Sequence, residues 1–390
     1  LGFDFSVQNN QIIFSQHKIF IQTIESLLDD YSQSNFENKI IIFADVGCLK
    51  KDLKNILRIT LHKKDWFNNH DSFLGENNEL SKTYDLLKEK FFLRSFQNQT
   101  VMSLDIEDAN YLKKVIKQNA NSSNKFFKLD KAISSGWFFW INLDHDKFEW
   151  SLKVEPIDQF SEIHELLRKN NIIFLSSLRR DNFFKEYLNK HHIRLTSSIN
   201  FKSSFVEKNI SIYIPSKLLL PNNPSFIKLT IDNCIKFSFL CKGVSIFLSN
   251  EKSFKIKLAT ELASVYGKRV LLENHPKIDN QIVCSSFEWW IKKLYLICPP
   301  DQIIIPLLPF PNMVEPFTQE TISFLRSQSN NWFREFMFPE AFRVIDKAIS
   351  PLRKNAGKLI ILDGRISNRK WGRDMLEMIQ PQKIINYMYP

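Results

Sequence analysis

Two hydrophobic patterns alternate along this chain. Short apolar runs between polar turn residues read as buried strands, and longer stretches whose apolar positions return every three or four residues read as helices packed by one face. Near the start, Gln11-Ile12-Ile13-Phe14 and Lys39-Ile40-Ile41-Ile42-Phe43 flank a helical pattern over 19–28, the strand–helix–strand spacing of a parallel sheet. From about 59 to 170 the pattern turns to charged, Phe-rich helical segments, including 80–93 and 107–118, with a Ser/Asn-rich hinge at 119–124. Within that region, 136–141 and 147–152 read as paired strands around an Asp144-His145-Asp146 turn. Residues 172–178 form another buried run, ending in Ser176-Ser177-Leu178 before Arg179-Arg180-Asp181, where Asp181 suits an N-cap.

From 200 onward the alternation is regular. Strands are expected at 210–214, 243–249, 270–273, 282–285, 302–305 and 358–362, with helices over 225–240 and 252–266 and a turn at Pro221-Asn222-Asn223-Pro224. The predicted class is α/β, with two parallel-sheet domains, the first incomplete, and a mainly helical insertion. The expected divisions are 1–58 and 171–199 for the first domain, 59–170 for the insertion and 200–390 for the second domain.

Composition narrows the function. With 390 residues, 44% of them hydrophobic, the chain buries a large core. A formal charge of +11 points to an anionic partner, nucleic acid being the commonest, although Lys/Asn-rich sequences also drift basic without one. The five cysteines are scattered, with no C-x-x-C, which argues for a reducing cytoplasm and against a disulfide framework, a zinc site or a four-cysteine iron–sulfur cluster. No apolar run reaches membrane-spanning length and no secretory leader opens the sequence. Residue 1 is Leu, so a preceding segment is expected.

The candidate chemistry gathers at strand ends. Asp45 ends the second early strand. Ser249-Asn250, Ser286-Phe287-Glu288 and the Pro-rich exit Pro306-Leu307-Leu308-Pro309-Phe310-Pro311 follow later strands. The stretch 331–373 carries 10 Lys and Arg against 4 Asp and Glu, and ends its apolar run at Asp363-Gly364-Arg365. Gly267-Lys268 precedes a strand and lacks the flanking residues of a phosphate loop, and no G-x-x-x-x-G-K-[ST] occurs in these 390 residues. Asp105-Ile106-Glu107 opens a polar helical segment, which argues against a nuclease carboxylate pair. His145 reads as a solvated turn residue. Trp137, Trp140 and Trp150 read as core in preference to base-stacking platforms.

The order of these motifs resembles the DinG/XPD-type DNA helicases of superfamily two. Residues 172–178 are similar to that family's Thr-Ser-Ala-Thr-Leu element, Ser249-Asn250 to its Leu-Phe-x-Ser-Tyr element, and Ser286-Phe287-Glu288 to Ser-Phe-Trp-Glu-Gly. The run 306–316 is similar to Leu-Pro-Phe-x-x-Pro-x-x-Pro, and 359–365 to the terminal Ile-Leu-Asp-x-Arg. The resemblance implies two RecA-like domains forming an ATP- and Mg²⁺-dependent motor on single-stranded or forked DNA, in repair or replication, and leaves RNA open beside DNA. It places Asp45 where a glutamate activates water, Ala44 where an aspartate positions Mg²⁺, and Arg353 at the surviving arginine of the γ-phosphate turn. By the same alignment Glu288, Arg353, Asp363 and Arg365 would face nucleotide, and Ser176, Arg179, Arg180, Ser249, Asn250 and Phe287 nucleic acid, with no metal ligand kept. The expectation is an ATP-dependent DNA helicase whose hydrolysis is weak, lost or dependent on residues before Leu1; the alternative is a degenerate helicase-fold protein that binds nucleic acid or a protein partner without turnover. Arg353→Ala is expected to weaken nucleotide-dependent behaviour while leaving the fold intact.

Overall fold

The structure, a computed structural model, describes residues 6–8, 11–14, 17–20, 23–33, 40–43, 45–67, 78–95, 100–121, 123–176, 184–185, 188–189, 191–194, 197–199, 207–274, 276, 280–294 and 299–385. It divides into two compact units, one of residues 1–177 and 312–330, the other of 178–311 and 331–390. Residues 312–330 lie inside the expected 200–390 domain by sequence, yet they group with the first unit.

In the first unit, β1 (Ser6–Gln8), β2 (Gln11–Phe14) and β3 (His17–Phe20) form an antiparallel meander. This corrects the expected parallel pairing of Gln11–Phe14, because strands two residues apart can pair only antiparallel. The helix starts later than expected and spans Ile24–Gln33. β4 (Ile40–Phe43) instead pairs in parallel with β9 (Asn171–Phe174), and the Phe43 and Phe174 rings stack at 5.6 Å.

The insertion is mainly helical, as expected, and also holds a sheet. β5 (Ile59–Leu61), β6 (Val101–Ser103), β7 (Phe138–Asp144) and β8 (Glu149–Glu155) make a four-stranded antiparallel sheet in the order β5-β8-β7-β6. Three-residue strands such as β5 and β6 carry too little alternation to be read from sequence, whereas the β7–β8 hairpin closes around Asp144 as its pattern predicted, the Asp144 carboxylate accepting from the Lys147 N–H at 3.1 Å. One sheet face packs its Ile141, Leu152 and Trp150 on helices Asn78–Arg94, Ile106–Gln118 and Asn124–Ser134. Trp150 and Tyr84 stack at 5.0 Å, and the Tyr84 hydroxyl donates to the Trp150 carbonyl and accepts from its N–H, so this pair satisfies its own polar atoms. On the opposite face, fully buried Glu155 draws in Lys54 at 3.5 Å and Arg58 at 2.8 Å from the end of helix Val46–Leu57. Burial pushes the Glu155 carboxyl above its usual range and Lys54 below its own. Helix Pro316–Ser327 closes this face: Phe317 lies 6.1 Å from Trp140 and takes the Lys54 ammonium 3.6 Å over its ring.

The second unit is a seven-stranded parallel sheet built from β10 (Ile210–Tyr213), β11 (Ser245–Leu248), β12 (Val270–Leu272), β13 (Ile282–Ser285), β14 (Gln302–Ile305), β15 (Lys358–Ile361) and β16 (Gln382–Ile385), in the order β12-β13-β11-β14-β15-β10-β16. A parallel sheet is covered on both faces, so its strands read as continuous apolar runs. Alternate residues feed two cores. Ile246, Leu248, Val283, Ile303, Ile305 and Leu359 meet helices Phe287–Lys293 and Phe338–Ile349, while Phe247, Ile282, Cys284, Ile304 and Ile360 meet Phe226–Phe239 and Lys252–Tyr266.

Trp290 shows how tightly the first of these cores is specified. It is fully buried, and its indole N–H donates to the Ala348 carbonyl at 2.8 Å. Trp290→Ala is expected to cost about 3–5 kcal/mol through lost burial and the cavity left behind. Denaturant unfolding followed by far-UV circular dichroism would show this as a lowered midpoint.

Candidate functional site

Parallel strands deliver their exits to one edge, where open α/β sheets bind ligands. At this edge the chain after β11 presents Ser249 and Asn250, after β12 Glu273, after β13 Ser286, after β14 the 306–311 segment, and after β15 Asp363 and Arg365.

One network joins the ends of β12 and β13. Ser286 caps helix Phe287–Lys293: its hydroxyl accepts from the Trp289 N–H at 3.3 Å and donates to the Glu273 carboxylate at 2.9 Å. The same Glu273 oxygen accepts from the Ser286 N–H at 3.1 Å and from Lys255 Nζ at 2.5 Å. The Lys255 hydrogen bond, then burial opposing it and the Ser286 N–H, leave the Glu273 carboxyl below its ordinary range. Glu273 holds φ 47, a left-handed conformation that aims its carboxylate back at the strand ends. Asn250 Oδ1 accepts from the Phe287 N–H at 3.2 Å, and the Ser249 N–H donates to the Ser285 carbonyl at 3.0 Å. The buried hydroxyls of Ser249 and Ser285 make no hydrogen bond among the described residues. Burial pushes the neighbouring Cys284 thiol up to about 12, so it is inert as a nucleophile at neutral pH.

A second network holds Asp363, which is wholly buried. Arg365 Nε reaches both of its oxygens at 3.0 Å and Nη2 reaches one at 2.6 Å, while the Leu308 N–H donates at 2.9 Å. The Arg365 guanidinium also lies 4.9 Å over the Phe310 ring. Between them Gly364 passes so close to the Leu219 carbonyl that a Cβ would sit 2.3 Å from its oxygen. Asp-Gly-Arg is therefore a clamp on the β14 exit loop.

Arg353 is buried in the short helix Leu352–Asn355. Its side chain is 7% exposed; Nη2 pairs with Asp346 Oδ1 at 2.5 Å and Nε donates to the Gln380 carbonyl at 3.1 Å. An arginine held in this way is a structural tie, and freeing it for a phosphate would strand the Asp346 charge. Phe287 is 1% exposed and lies inside the core. Glu288 sits on the exposed side of its helix in an i,i+4 pair with Lys292 at 3.0 Å. In the first unit, Asp45 caps helix Val46–Leu57 by accepting from the Gly47 N–H at 3.1 Å, and Ser176 is exposed just past β9. Ala44, Arg179 and Arg180 lie outside the described residues.

The edge thus brings together Ser249, Asn250, Asp363 and Arg365, and adds Lys255 and Glu273, which sequence reasoning passed over. The one signal was the charged Glu273 directly ending a Val-Leu-Leu strand. Gly267 ends helix Lys252–Tyr266 at φ 57, a C-cap and not a phosphate loop. Among the described residues no group of His, Cys, Asp or Glu could hold a metal ion, and no helix is long and apolar enough to cross a membrane.

Charge divides sharply between the units. The second carries 30 Lys and Arg against 16 Asp and Glu, a net +14, and the first 23 against 26, a net −3, which together give the +11 of the chain.

No family model matches the chain, and no curated protein matches it. Among solved structures it is similar to one named XPD_Helicase, at 12% identity and TM-score 0.54 over 92% of this chain and 71% of that one. It is also similar to one named XPD_APO, at 13% identity and TM-score 0.53 over 92% and 79%, and to S. tokodaii Xpd4, at 13% identity and TM-score 0.55 over 91% and 77%. The likeness is one of fold, that of RecA-like α/β domains.

Two outcomes follow from the ion pairs. Arg353→Ala is expected to destabilise the second unit by about 3–5 kcal/mol by leaving Asp346 buried and unpaired, and Arg353→Met combined with Asp346→Leu to recover most of that loss in denaturant melts. The depressed Glu273 carboxyl contributes stability that is present above the ordinary glutamate value and lost as the pH falls through the folded one. Glu273→Gln is therefore expected to flatten the acid limb of a stability–pH curve.

Proposed function

We propose that this chain is a DinG/XPD-type helicase-fold protein that grips single-stranded DNA through its cationic second unit, in DNA repair or replication, with ATP turnover weak or lost. The observation that carries this reading is the commitment of its arginines: Arg353 and Arg365, which the resemblance would aim at nucleotide, are each already paired to a buried carboxylate, Asp346 and Asp363. Phosphoryl transfer depends on cations positioned at the γ-phosphate and on a held Mg²⁺ ion, and loss of an arginine finger alone costs about 10³–10⁵ in rate. The pairing of Arg353 with Asp346 supports weak or lost turnover, because it leaves no free arginine among the described residues of the turn that the resemblance aligns with the γ-phosphate.

The grip itself needs only charge and shape. A net +14 on one unit favours a polyanion, and RecA-like domains offer their strand exits to it. RNA satisfies the same electrostatics, so sugar preference is an outcome of the test.

The deciding experiment measures ATP hydrolysis with and without single-stranded DNA, beside binding of a labelled oligonucleotide across a salt series. Hydrolysis is expected to stay at background, while affinity falls by about 10²–10⁴ between 50 and 200 mM salt, the response of six to ten phosphate contacts on a single strand. DNA-stimulated hydrolysis would replace this reading with a working motor, and a salt-independent affinity would remove the cationic grip.

A further inference from the structure

We infer that the second unit carries a base-stacking site for single-stranded nucleic acid, made by Trp332, Phe333 and Trp371 and rimmed by Arg369, Lys370 and Arg373. This rests on the nucleic-acid reading above and assigns it a place.

Three chain segments converge there. Phe310 arrives from the exit of β14, Phe333 from the π-helical turn Phe333–Met337, and Trp371 from helix Lys370–Met378. Trp371 lies 5.1 Å from Phe310 and 5.5 Å from Phe333, and Trp332 meets the Phe333 edge at 6.1 Å. All four rings are half-buried, whereas the aromatics of the adjoining core, Phe287 and Trp290, are closed off from solvent. A π-turn is a rare insertion in a helix and is found most often at functional sites. Here it opens with Phe333, whose ring meets Trp371.

The cations divide into two sets. Arg365 is held by Asp363 and Arg334 by Asp374 at 2.5 Å. Arg369, Lys370 and Arg373 are exposed, and among the described residues no carboxylate pairs with them. They crowd the first turn of a nine-residue helix that has no acidic residue there. Residues 370 and 373 are neighbours on the helix surface and Arg369 is the N-cap, so three like charges gather at the positive end of the helix dipole. That arrangement is unfavourable for the helix alone and is relieved by an anion. Phosphodiesters supply the anion, and their bases supply flat faces for the half-buried rings; stacking of this kind tolerates any base but needs bases that are not already paired. A plain hydrophobic satellite core explains the rings but not the three unpaired cations beside them.

The test uses the full chain, a fluorescent 20-nucleotide dT probe and a blunt duplex of the same length. The triple variant Arg369→Ala, Lys370→Ala, Arg373→Ala changes only exposed side chains; it is expected to weaken dT binding at least tenfold and to reduce the slope of log affinity against log salt by about 2, three phosphates at roughly 0.7 each. Trp332→Ala is expected to weaken dT binding by about tenfold or more while leaving the salt slope unchanged. Wild-type chain is expected to prefer dT over duplex. If wild type binds dT but the triple variant keeps its affinity and slope, this site is overturned and the general grip stands. If the triple variant weakens binding but Trp332→Ala does not, and duplex binds as well as dT, the site is a cationic patch without stacking. If wild type binds neither probe, the nucleic-acid reading falls with it.

Discussion

The second unit depends on the in-register parallel ladder of β11, β13, β14 and β15. Because each strand is apolar on both faces, the sheet can exist only between two layers of helix, and every connection must cross over and return. All strand exits therefore fall on one edge. The polar residues that follow the strands, Ser249, Glu273, Ser286 and Asp363, are collected there by that geometry without any local signal bringing them together.

Once collected, the carboxylates are turned inward. Asp363 draws Arg365 and the Leu308 N–H onto itself, Glu273 draws Lys255 and Ser286, and Asp346 draws Arg353. Each pair rigidifies a strand exit or a helix end, and each also removes an acid from the surface. The unpaired excess of cations on this unit is thus partly a result of how its acids are spent on structure. The same pairing that stiffens the fold holds Arg353 and Arg365 against buried carboxylates.

Much of the second unit was legible because periodicity is a local property. The six strands from β10 to β15 and the helices Phe226–Phe239 and Lys252–Tyr266 fall within a few residues of their patterns, since a continuous apolar run flanked by Gly, Pro and Asn admits few other readings. The failures are non-local. Nothing near Arg353 in sequence says that the carboxylate seven residues earlier turns inward with it, and Phe287 beside Ser286 looks the same whether it faces solvent or core. The meander of β1 to β3 was missed because a two-residue link reverses a strand pair while leaving its hydrophobicity unchanged. The outer strands of the insertion's sheet were missed because β5 and β6 are too short to show a period, and their pairing with β7 and β8 spans many intervening residues.

Segment 312–330 has a consequence for how the protein is made. The β5–β8 sheet is complete once Glu155 has been synthesised, but the helix that closes its Trp140 face, Pro316–Ser327, is encoded after most of the other unit's strands. At typical synthesis rates that leaves the aromatic face uncovered on the ribosome for on the order of ten to thirty seconds. The first unit is thus completed late, and a chaperone that recognises exposed aromatic surface would meet this chain in that interval.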